Sequence, residues 1–221
     1  MRRSFNFFSF LLLFGLGIAT VVFNSCGRSS SQSPTSDKGV VINGVKWATC
    51  NVDKPGTFAA KPEDEGMLYQ WNRKVGWSAN RPMINSNGNT EWDESMPIGN
   101  TWEKANDPSP VGWRIPTQKE LETLLNTDKV SHVMINDNNN RMRGIRFTDK
   151  TTGNSIFLPF VCIRNHFGDL NDDARWLGIY WSSNPIDRLN AYYLYFNMST
   201  ELVKCSAGSR HYGYSIRCVA E

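Results

Sequence analysis

Histidine is scarce in this chain. His132, His166 and His211 are its three members among 221 residues, and they lie far apart. No His-Glu-x-x-His, Gly-x-Ser-x-Gly or Cys-x-x-Cys spacing occurs, so the local signatures of zinc hydrolases, serine hydrolases and dithiol redox enzymes are missing. Basic runs are missing too. No cluster of five lysines or arginines occurs, and the formal charge of +3 falls by two when Arg2 and Arg3 leave with an N-terminal leader. That balance argues against a nucleic-acid partner. Nor is there self-similarity at solenoid periods.

What is present is a body able to form a core. The chain is 40% hydrophobic and 12% aromatic, and six of its eight tryptophans precede residue 114, separated by Gly, Pro, Asn and Asp. Such a distribution predicts one globular domain with short elements and much ordered loop. Residues 1–25 read as an export signal: Arg2 and Arg3, then an almost continuous apolar stretch from Phe5 to Phe23, then Ser25-Cys26. An apolar run that stops at a cysteine predicts a lipoprotein, acylated at Cys26 and held on the membrane without crossing it. An uncleaved anchor and an ordinary signal peptide are the alternatives, and neither needs that cysteine. Residues 26–38 form a Ser-rich flexible tether, and residues 39–221 form the domain. The expected location is the cell envelope, lipid-anchored at the outer membrane, with the face left open.

Four cysteines remain after Cys26, and an exported protein can oxidise them. Cys50 follows a first strand predicted over Val40–Thr49, and Cys218 lies in the last strand. If the terminal strands pair, a Cys50–Cys218 disulfide is within reach, although three pairings exist for four cysteines and free thiols are an alternative.

Local pattern predicts several elements. Thr117-Gln-Lys-Glu120 is a capping box after Pro116, and Leu121, Leu124 and Leu125 continue it as one helical stripe. Ile145–Asp149 and Ser155–Leu158 flank a Gly-containing turn and predict a hairpin. Tyr180–Ser183 and Ala191–Asn197 read as strands, the second with Tyr193, Tyr195 and Asn197 on one face and Tyr192, Leu194 and Phe196 on the other. Ser206–Ser209 reads as a turn, and Tyr214–Val219 as a closing strand. The order predicts an α+β domain with a small antiparallel sheet, one clear helix and long ordered loops.

Gly44-Val-Lys-Trp-Ala-Thr-Cys-Asn-Val52, Tyr69-Gln-Trp71, Gly112-Trp-Arg-Ile-Pro-Thr117, Phe157-Leu-Pro159, Tyr180-Trp-Ser-Ser183 and Gly213-Tyr-Ser-Ile-Arg-Cys-Val219 occur in that order. Together they resemble the Fibrobacter succinogenes major paralogous domain across residues 39–221. The resemblance implies an exported, commonly lipidated protein with a C-type-lectin-like fold of the formylglycine-generating-enzyme branch. Trp181-Ser-Ser183, Ala191–Asn197 and Tyr212–Arg217 further resemble the variable region of diversity-generating-retroelement proteins. Between residues 184 and 214, Met198, Glu201 and Lys204 are the residues that adenine mutagenesis of asparagine codons cannot produce.

That second resemblance implies a ligand-binding segment at 184–214. Its contact residues would be Asn184, Ile186, Asp187, Arg188, Leu189, Tyr193, Tyr195, Ser199, Arg210, His211, Tyr212 and Tyr214, on a scaffold held by Trp181, Phe196, Gly213 and Arg217. The expected function is a membrane-anchored binder of a protein or glycan, not an enzyme. A structural component of a surface or adhesin assembly is the alternative. A copper-thiol oxidase is a third reading, disfavoured because Cys205 and Cys218 stand thirteen residues apart. No cofactor or metal is expected: Asp169–Asp173 begins like a calcium loop, but Ala174 replaces the turn glycine and Tyr180 the closing glutamate.

Overall fold

The computed structural model describes residues 37–139, 142–171 and 175–221. The expected signal at 1–25, the lipidation site at Cys26 and the tether as far as residue 36 lie outside the described residues. The chain divides into Met1–Ser33 and Pro34–Glu221, and the described residues belong to the second unit.

The N-terminal strand predicted over Val40–Thr49 is instead a tight hairpin of β1 (Val40–Ile42) and β2 (Val45–Trp47). Asn43 and Gly44 turn it with φ of 46° and 81°, the left-handed pair that a two-residue hairpin loop requires. Next come β3 (Met67–Tyr69) and β4 (Gly76–Ser78), which pair, and β5 (Trp113–Arg114). The capping box does what its spacing predicts. Helix α1 (Gln118–Thr123) starts at Thr117, whose hydroxyl accepts from the Glu120 amide at 3.2 Å while Glu120 accepts from the Thr117 amide at 2.8 Å.

The predicted hairpin is there as β7 (Met142–Asp149) and β8 (Ser155–Pro159), joined on the outer side by β6 (Val130–Asp137). Short strands β9 (Ile163–Arg164) and β10 (Leu170–Asn171) follow. The C-terminal sheet consists of β11 (Leu177–Pro185), β12 (Asn190–Asn197) and β13 (Leu202–Ser209) in that order. Ser206–Ser209, expected as a turn, is therefore the end of β13, paired residue for residue with β12. The closing strand is shorter than expected. Only β14 (Val219–Ala220) is regular, inserted between β2 and β5, while Gly213, Tyr214 and Ser215 make isolated bridges to Arg164, Tyr69 and Tyr180.

The expected α+β, C-type-lectin-like architecture is thus corrected. The described residues form five small antiparallel sheets with a single six-residue α-helix, a mostly β arrangement. The reason is physical. Six residues make less than two turns of helix, too little to form a layer, while the segments expected as loops supply strand pairs such as β3–β4 and β9–β10.

The C-terminal sheet has a core on each face. On one side Tyr180, Leu194 and Phe196 join Ile42, Trp47, Leu121 and Phe147. On the other, Ile179, Trp181 and Ala191 join Trp71, Tyr214 and Ile216, with Tyr193 and Tyr195 packed over them. Period-two alternation along β11 and β12 produces this division, and each fully buried large apolar side chain contributes about 2–3 kcal/mol. Gly178 lies under the Phe196 ring, where a Cβ would come within 1.9 Å of it. Two indoles fasten this sheet to the body: Trp181 Nε1 donates to the Tyr69 carbonyl at 2.7 Å, and Trp71 Nε1 to the Ser182 carbonyl at 3.0 Å.

Candidate functional site

The residues expected to contact a ligand fall into four environments. Tyr193, Tyr195 and Tyr212 are half-buried and share one surface. Beneath them Trp181 and Tyr214 pack with their rings tilted at 38° and centroids 4.4 Å apart, and Tyr193 meets both edge-on at 6.0 and 5.4 Å. Tyr212 reaches the same floor, 5.8 Å from Tyr214. Across the strand pair, Ser206 stands opposite Tyr193 and Lys204 opposite Tyr195. Gly208 keeps β13 low beside Tyr193, whose ring a Cβ there would meet at 2.9 Å.

Ile186, Asp187, Arg188 and Leu189 are exposed on the β11–β12 turn. The Asp187 carboxylate closes that turn by accepting from the Leu189 and Asn190 amides, both at 2.7 Å, and from the Asn190 side chain. The Asn190 side-chain bond and these amides hold its carboxyl below the usual range. Ile186, Arg188 and Leu189 remain as outward groups. His211, half-buried, sits beside Tyr212, its ring 3.4 Å from the Ser209 hydroxyl.

Ser199 is exposed but lies past the far end of β12. Seven strand steps, about 24 Å, separate the two ends, so Ser199 does not join the turn residues.

Three expected contacts are corrected. Tyr214 is 3% exposed and forms the floor. Arg210 is 2% exposed, and its guanidinium donates to the carbonyls of Asn190, Gly99 and Asp187. Asn184 is half-buried, and its side-chain carbonyl accepts from the Gln118 amide at 2.8 Å, capping α1. Each is held by the fold's own polar groups. The expected scaffold residues Trp181, Phe196, Gly213 and Arg217 are all buried. Arg217 donates to Asn51 Oδ1 at 2.9 Å and to the Thr49 carbonyl at 2.6 Å.

The Cys50–Cys218 disulfide is also corrected: none of Cys50, Cys162, Cys205 and Cys218 is in a disulfide. Cys218 donates to the Ser109 hydroxyl at 3.1 Å, and burial raises its pKa. Strand pairing brings the termini together, Val219 against Trp47, without turning the two thiols toward each other. Cys205 and Cys218 belong to opposite cores. Among the described residues no group of three His, Cys, Asp or Glu could hold a metal, and no helix is long and apolar enough to cross a membrane.

Sequence reasoning missed two neighbours of the tyrosine face. Exposed His166 and Phe167, on the β9–β10 turn, touch with tilted rings at 3.6 Å, and His166 lies 6.4 Å from Tyr212. They extend the aromatic surface, and no local pattern marks them. A separate cleft of about 710 Å³ lies beside Phe58, Trp113 and Cys50 and contains none of the expected contact residues.

Among known proteins, the model of the family described as the Lcl C-terminal domain matches residues 43–220. No curated protein and no solved structure matches.

Proposed function

The chain belongs to the Lcl C-terminal domain family, and from that membership we propose that it is a non-enzymatic binding module whose ligand, a protein or a glycan, docks on the tyrosine face. One observation carries this reading. Tyr193, Tyr195 and Tyr212 stand partly exposed on a floor of Trp181 and Tyr214 whose indole and main chain are fixed by hydrogen bonds. Aromatic groups with polar tips, preorganised on a rigid base, contribute much contact area for little entropy lost on binding. Ile186, Arg188, Leu189 and His211 complete the surface, and His166 with Phe167 enlarges it.

In the same reading the mature chain is a lipoprotein acylated at Cys26, and the segment 184–214 is diversified by a retroelement. The sequence patterns support both. A second reading, a structural subunit, is favoured by the outer edge of β13, which among the described residues pairs only with β12.

Glycan and protein arrays probed with the full chain, and with Tyr195→Ala and Leu189→Ala variants, test the binding face. Binding should fall at least about tenfold in variants that keep the wild-type melting temperature. Unchanged binding in both would sink the assignment. A Cys26→Ala chain should leave the detergent phase on phase separation, and a neighbouring reverse transcriptase with a near-copy of the 184–214 coding segment would establish diversification.

A further inference from the structure

The outer edge of β13 borders the tyrosine face, because Lys204 stands opposite Tyr195 and Ser206 opposite Tyr193 on that side of the sheet. Hydrogen bonds at the end of the strand pair set which way its main chain points. The Asn190 carbonyl accepts from the Ile186 amide at 3.0 Å, and the Asn190 amide donates to the Asp187 carboxylate at 2.7 Å, so both face the β11–β12 turn and not β13. One residue back, the Leu189 carbonyl accepts from the Arg210 amide at 2.9 Å. Opposed residues of an antiparallel pair alternate between exchanging hydrogen bonds and not. Lys204, Ser206 and Gly208 therefore bond to β12, and Val203, Cys205 and Ala207 direct their N–H and C=O groups outward. Among the described residues no other strand meets them. The row ends at Ser209, whose carbonyl accepts from the Tyr212 amide at 3.2 Å.

Little guards this edge. Proline, a bulge or several charges ordinarily blunt an unpaired strand, but β13 has no proline, keeps register with β12 over all eight residues and carries one charge, Lys204. Lys204 is exposed and makes no ion pair among the described residues. From Cys205 to Ser209 every side chain is small, so a second backbone can come close. At Gly208 no side chain stands between the edge and the Tyr193 ring, which lies 2.9 Å from where a Cβ would be. Strand β6 presents another eight-residue edge, but its sheet holds none of the three tyrosines.

We infer that a protein ligand extends this sheet by adding a strand antiparallel to β13, with an aromatic side chain beside Gly208 and an acidic one, four residues later, beside Lys204. The aromatic ring covers the glycine and meets Tyr193, and the carboxylate meets the Lys204 ammonium group across the strand pair. Val203, Cys205 and Ala207 supply main-chain bonds that hold the strand whatever its sequence. Residues 202–209 contain no acidic side chain, so a second copy of β13 would leave Lys204 unmet. Strand addition deepens the binding reading above, on which it rests, by making the ligand a protein.

Calorimetric titration of the full chain with a nine-residue threonine and valine peptide, Phe at its third position and Glu at its seventh, tests this. The peptide should bind saturably with a dissociation constant below about 1 mM. N-methylation of its fourth and sixth residues, which face Ala207 and Cys205, should weaken binding at least about tenfold, and N-methylation of its third and fifth, which point away, less than about twofold. Ala207→Pro removes an outward N–H without breaking a bond to β12, and should weaken binding about tenfold with the fold retained. Lys204→Glu should reverse the order of preference between this peptide and one with Lys at the seventh position. Four results would overturn the inference: no saturable binding of either peptide up to about 10 mM, equal effects of the two N-methylation patterns, unchanged affinity in folded Ala207→Pro, or a dimer of the free chain that Ala207→Pro dissociates. Equal N-methylation effects with binding lost in Tyr195→Ala would remove strand addition and leave the tyrosine face standing.

Discussion

The Arg210 guanidinium carbon lies 4.1 Å from the centre of the Trp71 ring, stacked on an indole that is itself fully buried. The same guanidinium gathers three main-chain carbonyls from two segments, Asp187 and Asn190 at the β11–β12 turn and Gly99 in the body. Arg210 therefore ties the β11–β12 turn to the body. Replacing it with Ala should cost about 2–4 kcal/mol, because it leaves carbonyls unmet and removes the cation from the ring. Arg210→Lys should recover little of this, since an ammonium group lacks the planar fork. Thermal unfolding checks both, and a wild-type melting temperature for Arg210→Ala would refute the role.

Tyr193 separates contact from support. Its ring packs on Trp181 and Tyr214 and against Gly208, so Tyr193→Ala should destabilise the protein by about 1–3 kcal/mol. Tyr193→Phe keeps the ring and should stay within about 0.5 kcal/mol of wild type. If the face binds ligand through its hydroxyls, the Phe variant loses affinity without losing stability, which parallel melting and binding measurements would reveal.

Glu120 predicts a dependence on pH. Partial burial by itself raises its carboxyl, but the Arg114 fork, with contacts of 2.8 and 2.6 Å, and the Thr117 amide and hydroxyl together bring it below the usual value. A carboxylate depressed in the folded state stabilises above its unfolded pKa, about 4.3, and loses that contribution as pH falls through the folded value. Glu120→Gln should therefore lower the melting temperature at pH 7 and differ less from wild type at pH 3. An equal difference at both pH values would contradict this.

The cysteines predict insensitivity to redox conditions. Burial pushes the Cys205 thiol up to about 12 and raises those of Cys50 and Cys218, leaving little thiolate at neutral pH. A fragment starting at Asp37 should melt at the same temperature with and without reductant. It should release all four thiols to Ellman's reagent only in denaturant; fewer than four in denaturant would show a disulfide.

Legibility in the sequence tracked the range of the interaction. The helix start at Thr117, the β7–β8 hairpin and the division of β12 into two faces depend on residues a few positions apart, and all appear where pattern places them. The six-residue extent of α1 and the β3–β4 and β9–β10 pairs follow from packing against distant segments, which no local window contains. The same holds for the site. The resemblance to retroelement variable regions implies contact roles for Tyr193, Tyr195 and Tyr212, but nothing near Arg210 or Tyr214 announces that Trp71 and Trp181 cover them. Small, turn-like residues in Ser206–Ser209 disguised a strand that β12 holds from the side.

Both indole clamps on the C-terminal sheet, Trp181 to Tyr69 and Trp71 to Ser182, end on main-chain carbonyls. An acceptor of that kind is supplied by every amino acid alike, so substitutions at either accepting position leave the carbonyl in place. The bonds that anchor the sheet are therefore independent of which side chain stands at positions 69 and 182.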